Sequence, residues 1–127
     1  MEPKRKRRVL IIDDEATFAR LLQLNLEQTG SYTVRAESQP ANALAVAKEF
    51  RPDIILCDVV MPDLDGGEVA TQIKREAELH DTPIVFLTAV ISREEVIEHG
   101  GMIAGNTYLA KPATTEEVIH CIERHAA

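Results

Sequence analysis

Ile54-Ile55-Leu56-Cys57-Asp58 is the stretch whose reading decides the fold: four apolar residues in succession, then an acid. A run without polar alternation suits a strand covered on both faces, because alternation would serve a sheet with one face in water. Working outward, Val9–Ile12, Tyr32–Ala36, Ile84–Leu87 and Thr107–Ala110 are further strand-length runs rich in β-branched or aromatic residues. Val9–Ile12 and Ile84–Leu87 share the near-continuous apolar character of Ile54–Cys57, as central parallel strands require.

The intervening segments carry helical signals. Phe18, Ala19, Leu21, Leu22 and Leu26 gather on one broad helical face, and Gly30 closes the segment. Ser38 is suited to cap a helix carrying Leu44, Ala47 and Phe50, which Pro52 stops. Val69, Ile73 and Ala77 recur every four residues, and Ser92-x-x-Glu95 and Thr114-x-x-Glu117 are capping-box patterns opening the last two helices. Strand and helix alternate five times with no linker and no internal repeat. The expectation is an α/β domain with a doubly wound five-stranded parallel sheet flanked by five helices.

The bulk numbers agree with one domain. The chain has 127 residues, 45% of them hydrophobic, enough for a real core and too apolar for disorder. A net charge of −7 disfavours a nucleic-acid-binding surface. Cys57 and Cys121 lie far apart within apolar stretches, which reads as buried reduced thiols rather than a disulfide or zinc site. No apolar run approaches the ~18 residues of a membrane span, and the four apolar residues after the basic run Lys4-Arg5-Lys6-Arg7-Arg8 are too few for a signal peptide. The expectation is a cytoplasmic protein. The basic run, without aromatic residues among its charges, reads as a solvated leader over residues 1–8, ahead of a folded domain over 9–127.

In doubly wound folds, sites form at the carboxyl ends of the strands near the point where strand order reverses. Asp13, Asp14 and Glu15 end the first run, Asp58 the third, Thr88 the fourth, and Lys111-Pro112 the fifth. Singly, an acidic pair at a strand end is a turn or a helix cap, and a lone lysine is solvated. Together at one sheet edge they form a constellation. Neighbouring carboxylates must take up protons or recruit a hard cation, and magnesium suits such oxygen donors. Asp58 can then act as a nucleophile toward phosphorus, Lys111 supplies a compact positive charge, and the Thr88 hydroxyl can donate to another phosphoryl oxygen.

Asp13-Asp14-Glu15, Asp58-Val59-Val60-Met61-Pro62-Asp63-Leu64-Asp65-Gly66, Thr88-Ala89 and Tyr108-Leu109-Ala110-Lys111-Pro112 resemble the receiver domains of bacterial response regulators, of the chemotaxis-regulator kind, across essentially the whole chain after the leader. The resemblance implies a signalling phosphoacceptor of two-component systems rather than an enzyme. In that reading Asp58 takes a phosphoryl group from a sensor histidine kinase or phosphotransfer protein, and the only reactions catalysed are its own phosphotransfer and autodephosphorylation. It further implies magnesium as cofactor, with Asp14 a direct ligand beside Asp58, Asp13 acting mainly through water, and the Val60 carbonyl completing the protein's share. Lys111 becomes the lysine that contacts the phosphoryl group, Thr88 and Tyr108 the switch pair, and the bond to Pro112 a cis one. The output is a downstream target protein or an effector domain absent from this chain, which ends just after the fifth predicted helix, with no nucleic acid bound directly and no membrane.

Two features depart from the family's usual pattern. The stretch from Thr88 to Tyr108 is one residue longer than is commonest, and His99-Gly100-Gly101-Met102-Ile103-Ala104-Gly105 is glycine-rich, which points to a short or mobile fourth helix. Val60 and Val90 are apolar where a polar side chain would hold the hydrolytic water, so the aspartyl phosphate is expected to be long-lived. A phosphatase of the haloacid dehalogenase type needs a second acid two residues after its nucleophile, where this chain has Val60. A flavodoxin-like cofactor carrier needs a small-residue phosphate loop after the first strand, where three acids would repel phosphate. A degenerate receiver kept as an interaction scaffold remains the third alternative, against which the complete acidic set, Thr88 and Lys111 argue.

Overall fold

The computed structural model describes residues 6–59, 66–89, 102–103, 106–111 and 113–126. In chain order these form β1 (Arg7–Ile12), α1 (Ala16–Gln28), β2 (Tyr32–Glu37), a 3₁₀ turn (Pro40–Asn42), α2 (Ala43–Phe50), β3 (Ile54–Asp58) and α3 (Gly66–Lys74). There follow β4 (Ile84–Thr88), β5 (Met102–Ile103), β6 (Asn106–Ala110) and α4 (Thr115–His125). The sheet order is β2-β1-β3-β4-β6-β5, and the first five of these strands are parallel. The five predicted runs are those five parallel strands. A two-residue β5 pairs antiparallel with β6 and extends the sheet to six, a strand too short to leave a periodic signal.

From β1 the chain moves outward to β2, then returns to the other side of β1 as β3, so strand order reverses between β1 and β3. With right-handed crossovers, that reversal puts α1 and α4 on one face and α2 and α3 on the other. One core layer joins Val9, Ile11, Ile54, Leu56, Val85 and Leu87 to Ala19, Leu22 and Leu26 of α1 and Val118 and Ile122 of α4. The other joins Leu10, Ile12, Ile55, Cys57 and Phe86 to Val46, Ala47 and Phe50 of α2 and Val69 and Ile73 of α3. β3 is buried along its whole length, as its unbroken apolar run requires.

Local rules explain most boundaries. Gly30, at φ +80°, takes the left-handed position after α1 and donates to the Glu27 carbonyl at 3.1 Å. The predicted capping box of α4 is formed in both directions between Thr114 and Glu117. Several details differ from the sequence reading. Ser38 caps nothing: Glu37 Oε2 accepts from the Gln39 N–H, and Pro40 starts a 3₁₀ turn that delays α2 to Ala43. Leu21 is 58% exposed, because α1 buries only the narrow stripe Ala19, Leu22 and Leu26. Ala77 is exposed and Leu79 buried instead, since α3 ends at Lys74, whose ammonium donates to the Thr82 carbonyl at 2.8 Å across the following turn.

Of the basic run, Arg7 and Arg8 belong to β1. Arg8 lies over the Phe50 ring at 4.5 Å and donates through Nε to the Phe50 carbonyl, while its backbone N–H donates to Asp53. Among the described residues there are four α-helices. The predicted fourth helix from Ser92, together with Val60, Val90 and Pro112, lies outside the described residues.

Candidate functional site

Register brings the acids together. Ile12 pairs with Cys57, so Asp13 and Asp58 are the next residues along two neighbouring parallel strands, on either side of the reversal point. Asp58 pairs with Leu87, setting Thr88 one residue further on, and Thr88 in turn pairs with Ala110, just before Lys111. The Lys111 backbone N–H donates to the Thr88 carbonyl at 2.8 Å, locking that end of β6 to β4. Four strand ends thus meet at one edge of the sheet.

Asp13, Asp58 and Thr88 are the buried polar residues of the described chain. Carboxylate oxygens of Asp13, Asp14 and Asp58 all lie within 4.8 Å of one another. Lys111 reaches over them: its Nζ is 2.7 Å from Asp13 Oδ2, 3.2 Å from Glu15 Oε1 and 3.7 Å from Asp58 Oδ1, with little of the side chain exposed. The ammonium also sits 4.5 Å from the centre of the Phe18 ring. Asp13 Oδ1 accepts the Glu15 backbone N–H at 2.9 Å, a turn that fixes the carboxylate at the head of α1.

One cation facing so many acids leaves a surplus of negative charge, and the carboxyl groups show it. Burial, then the neighbouring Asp13 charge, push Asp58 up to about 6, against the pull of Lys111; a hydrogen bond with Asp14 adds to the rise. Burial also raises Asp13, opposed by Lys111 and the Glu15 N–H. Burial by itself would lower Lys111, yet hydrogen bonding and charge from Asp13, followed by Asp58 and Glu15, hold it above the ordinary lysine value.

The donor set fits a hard divalent cation. All the converging atoms are carboxylate oxygens. Asp13 Oδ2 is wholly buried and meets only the Lys111 ammonium, at 2.7 Å, among the described residues. Such an atom has spare capacity for a cation or for water bound to one. The expected Val60 carbonyl lies outside the described residues.

Residues 9–123 match the response regulator receiver domain family. This chain belongs to that family. Among relatives, the transcriptional regulatory protein YdfI of Bacillus subtilis is 37% identical over 117 residues, covering 91% of this chain and 53% of that protein. The alkaline phosphatase synthesis transcriptional regulatory protein PhoP of the same organism is 38% identical over 113 residues, 88% of this chain and 45% of its own. The chain spans about half the length of the curated relatives it matches. In three dimensions this receiver domain resembles the chemotaxis protein CheY4 of Vibrio cholerae, with a TM-score of 0.80 at 28% identity over 95% of this chain and 99% of that one. A putative response regulator from Chloroflexus aurantiacus gives 0.78 at 30% identity, over 94% and 97%.

The fold therefore brings Asp13, Asp14, Asp58 and Lys111 together in this receiver domain, with Thr88 at the adjoining strand end. Tyr108 stands apart, half-buried on the α2–α3 face with its ring 5.4 Å from that of Phe86. Two participants escaped the sequence reading. Glu15, expected as one of the acids ending the first run, and Phe18, expected on the apolar face of the first helix, both touch Lys111.

Proposed function

We propose that this receiver domain accepts a phosphoryl group on Asp58, from a sensor histidine kinase or phosphotransfer protein, in a magnesium-dependent reaction. The carrying observation is the convergence of Asp13, Asp14 and Asp58 beneath the partly buried Lys111. Asp58 Oδ attacks phosphorus as the bond to the donor breaks, and the leaving group departs with that electron pair. The attacking oxygen must be ionised, and with Asp58 near 6 it is so above neutrality.

Asp14 and Asp58 would hold the cation directly and Asp13 mainly through water. Bound magnesium would neutralise the charge brought in by the phosphoryl oxygens. Lys111, tethered to Thr88 through its backbone, keeps its charge at every physiological pH and supplies a contact to one phosphoryl oxygen. The Thr88 hydroxyl donates to another. Moving Thr88 toward the phosphoryl group would change the packing around Phe86 and Tyr108 and so bias a two-state output surface. Output passes to a target protein or to an effector domain, in keeping with relatives named as transcriptional regulators.

Incubation with acetyl phosphate tests this reading. The intact mass should gain one phosphoryl group with magnesium present and none in chelator; phosphorylation independent of divalent cations would reject it.

A further inference from the structure

Lys111 has two carboxylate partners at closer range than Asp58, and they differ in kind. Asp13, at 2.7 Å, is buried and belongs to the cation cluster. Glu15, at 3.2 Å, is largely exposed and stands outside that cluster. The Phe18 ring lies against the ammonium at 4.5 Å, so Glu15 and Phe18, three residues apart at the head of α1, both border it. A cation bound at Asp13 repels the ammonium that now sits there, so occupancy of the cluster requires Lys111 to move or to lose its best partner.

We propose that Glu15 is a positioning residue for Lys111: already hydrogen-bonded to the ammonium at 3.2 Å, it keeps hold of it when Asp13 turns to a cation. The face of Phe18 attracts the ammonium as well. The outward position of Glu15 suits the role, because an exposed carboxylate can hold the ammonium without being drawn into the metal cluster itself. Glu15 thereby eases cation entry and leaves Lys111 poised at the rim for an incoming phosphoryl oxygen. This rests on the reading of Asp13, Asp14 and Asp58 as a magnesium site.

A double-mutant cycle on magnesium affinity, measured by calorimetric titration of the full chain with magnesium alone, tests it. Glu15→Gln should weaken binding by about three-fold, the scale of an exposed ion pair. In a Lys111→Ala background the same change should have little effect, because Glu15 then has no ammonium to hold. Glu15→Asp keeps the charge but shortens the reach by one methylene, so its affinity should fall toward that of Glu15→Gln. Glu15 is the residue preceding α1 and makes no side-chain cap there, so these changes leave the fold intact. Equal losses with and without Lys111, or wild-type affinity in Glu15→Asp, would show a general field effect and overturn the proposal. Absence of magnesium binding in the unmutated chain would instead overturn the metal site on which it rests.

Discussion

Lys111 Nζ stands 2.7 Å from Asp13 Oδ2 but 3.7 Å from Asp58 Oδ1, so the ammonium is committed to the buried partner of the proposed nucleophile. Asp13 has no other hydrogen-bonding cation among the described residues, and its burial makes that pairing the condition for keeping it ionised.

Removing the lysine should therefore expose the cost of the acids. In metal-free buffer near neutrality, Lys111→Met is expected to lose about 3 kcal/mol of stability, the scale of a broken buried pair. Magnesium should recover more stability in this variant than in the wild type, since it restores a positive charge to the same oxygens. Urea unfolding with and without magnesium measures both. Equal magnesium stabilisation of the two proteins would contradict the shared site.

The pH dependence of stability follows from Asp58. Its carboxyl ionises near 6 when folded and near 3.8 when unfolded, so the folded state binds the proton more tightly. Its contribution is fully present below 3.8 and is lost as pH rises to about 6, above which the folded chain carries an unfavourable buried charge. Asp58→Asn should accordingly stabilise the metal-free protein at pH 7.5 and make no difference at pH 3.5. A substitution that is neutral at both values would show that Asp58 is not strained by its surroundings.

Far from the site, the Tyr32 hydroxyl donates to Glu123 Oε2 at 2.7 Å, and Arg7 meets the same oxygen at 3.2 Å, joining β1 and β2 to the end of α4. Burial, then the Glu123 carboxylate, push Tyr32 up to about 12. The neutral phenol is the favoured form, so the stability it contributes is present below 10 and is lost as pH climbs toward 12. Tyr32→Phe should cost about 1.5 kcal/mol near neutrality, a hydrogen bond to a charged group. The phenolate absorbance of wild type minus variant should emerge only near pH 12. A difference that titrates at 10 would mean the bond does not persist in solution.

The site was legible in the sequence where a residue's position follows from a strand end. Asp13, Asp58, Thr88 and Lys111 each terminate an apolar run, and parallel register brings such ends to one edge whatever the loops do. Glu15 and Phe18 were not legible as partners of Lys111, because their contact depends on how α1 sits across the end of β6, which no local pattern encodes. Leu21 failed for the converse reason: a periodic apolar face records capacity for burial, and α1 meets the sheet along a narrower line than the sequence offers. At Ser38 two local signals competed, and Pro40 won by fixing the backbone of the turn.

The central claim is that Asp58, and no other carboxylate of the cluster, carries the phosphoryl group. Asp13 and Asp14 lie close enough to make this a real choice. Borohydride reduces an aspartyl phosphate to homoserine, so treatment of the acetyl-phosphate-labelled, magnesium-loaded chain, then digestion and peptide mass analysis, marks the acceptor directly. The account predicts homoserine at position 58 alone, and no label in Asp58→Asn. Homoserine at position 13 or 14, or full labelling of the Asp58→Asn chain, would contradict it.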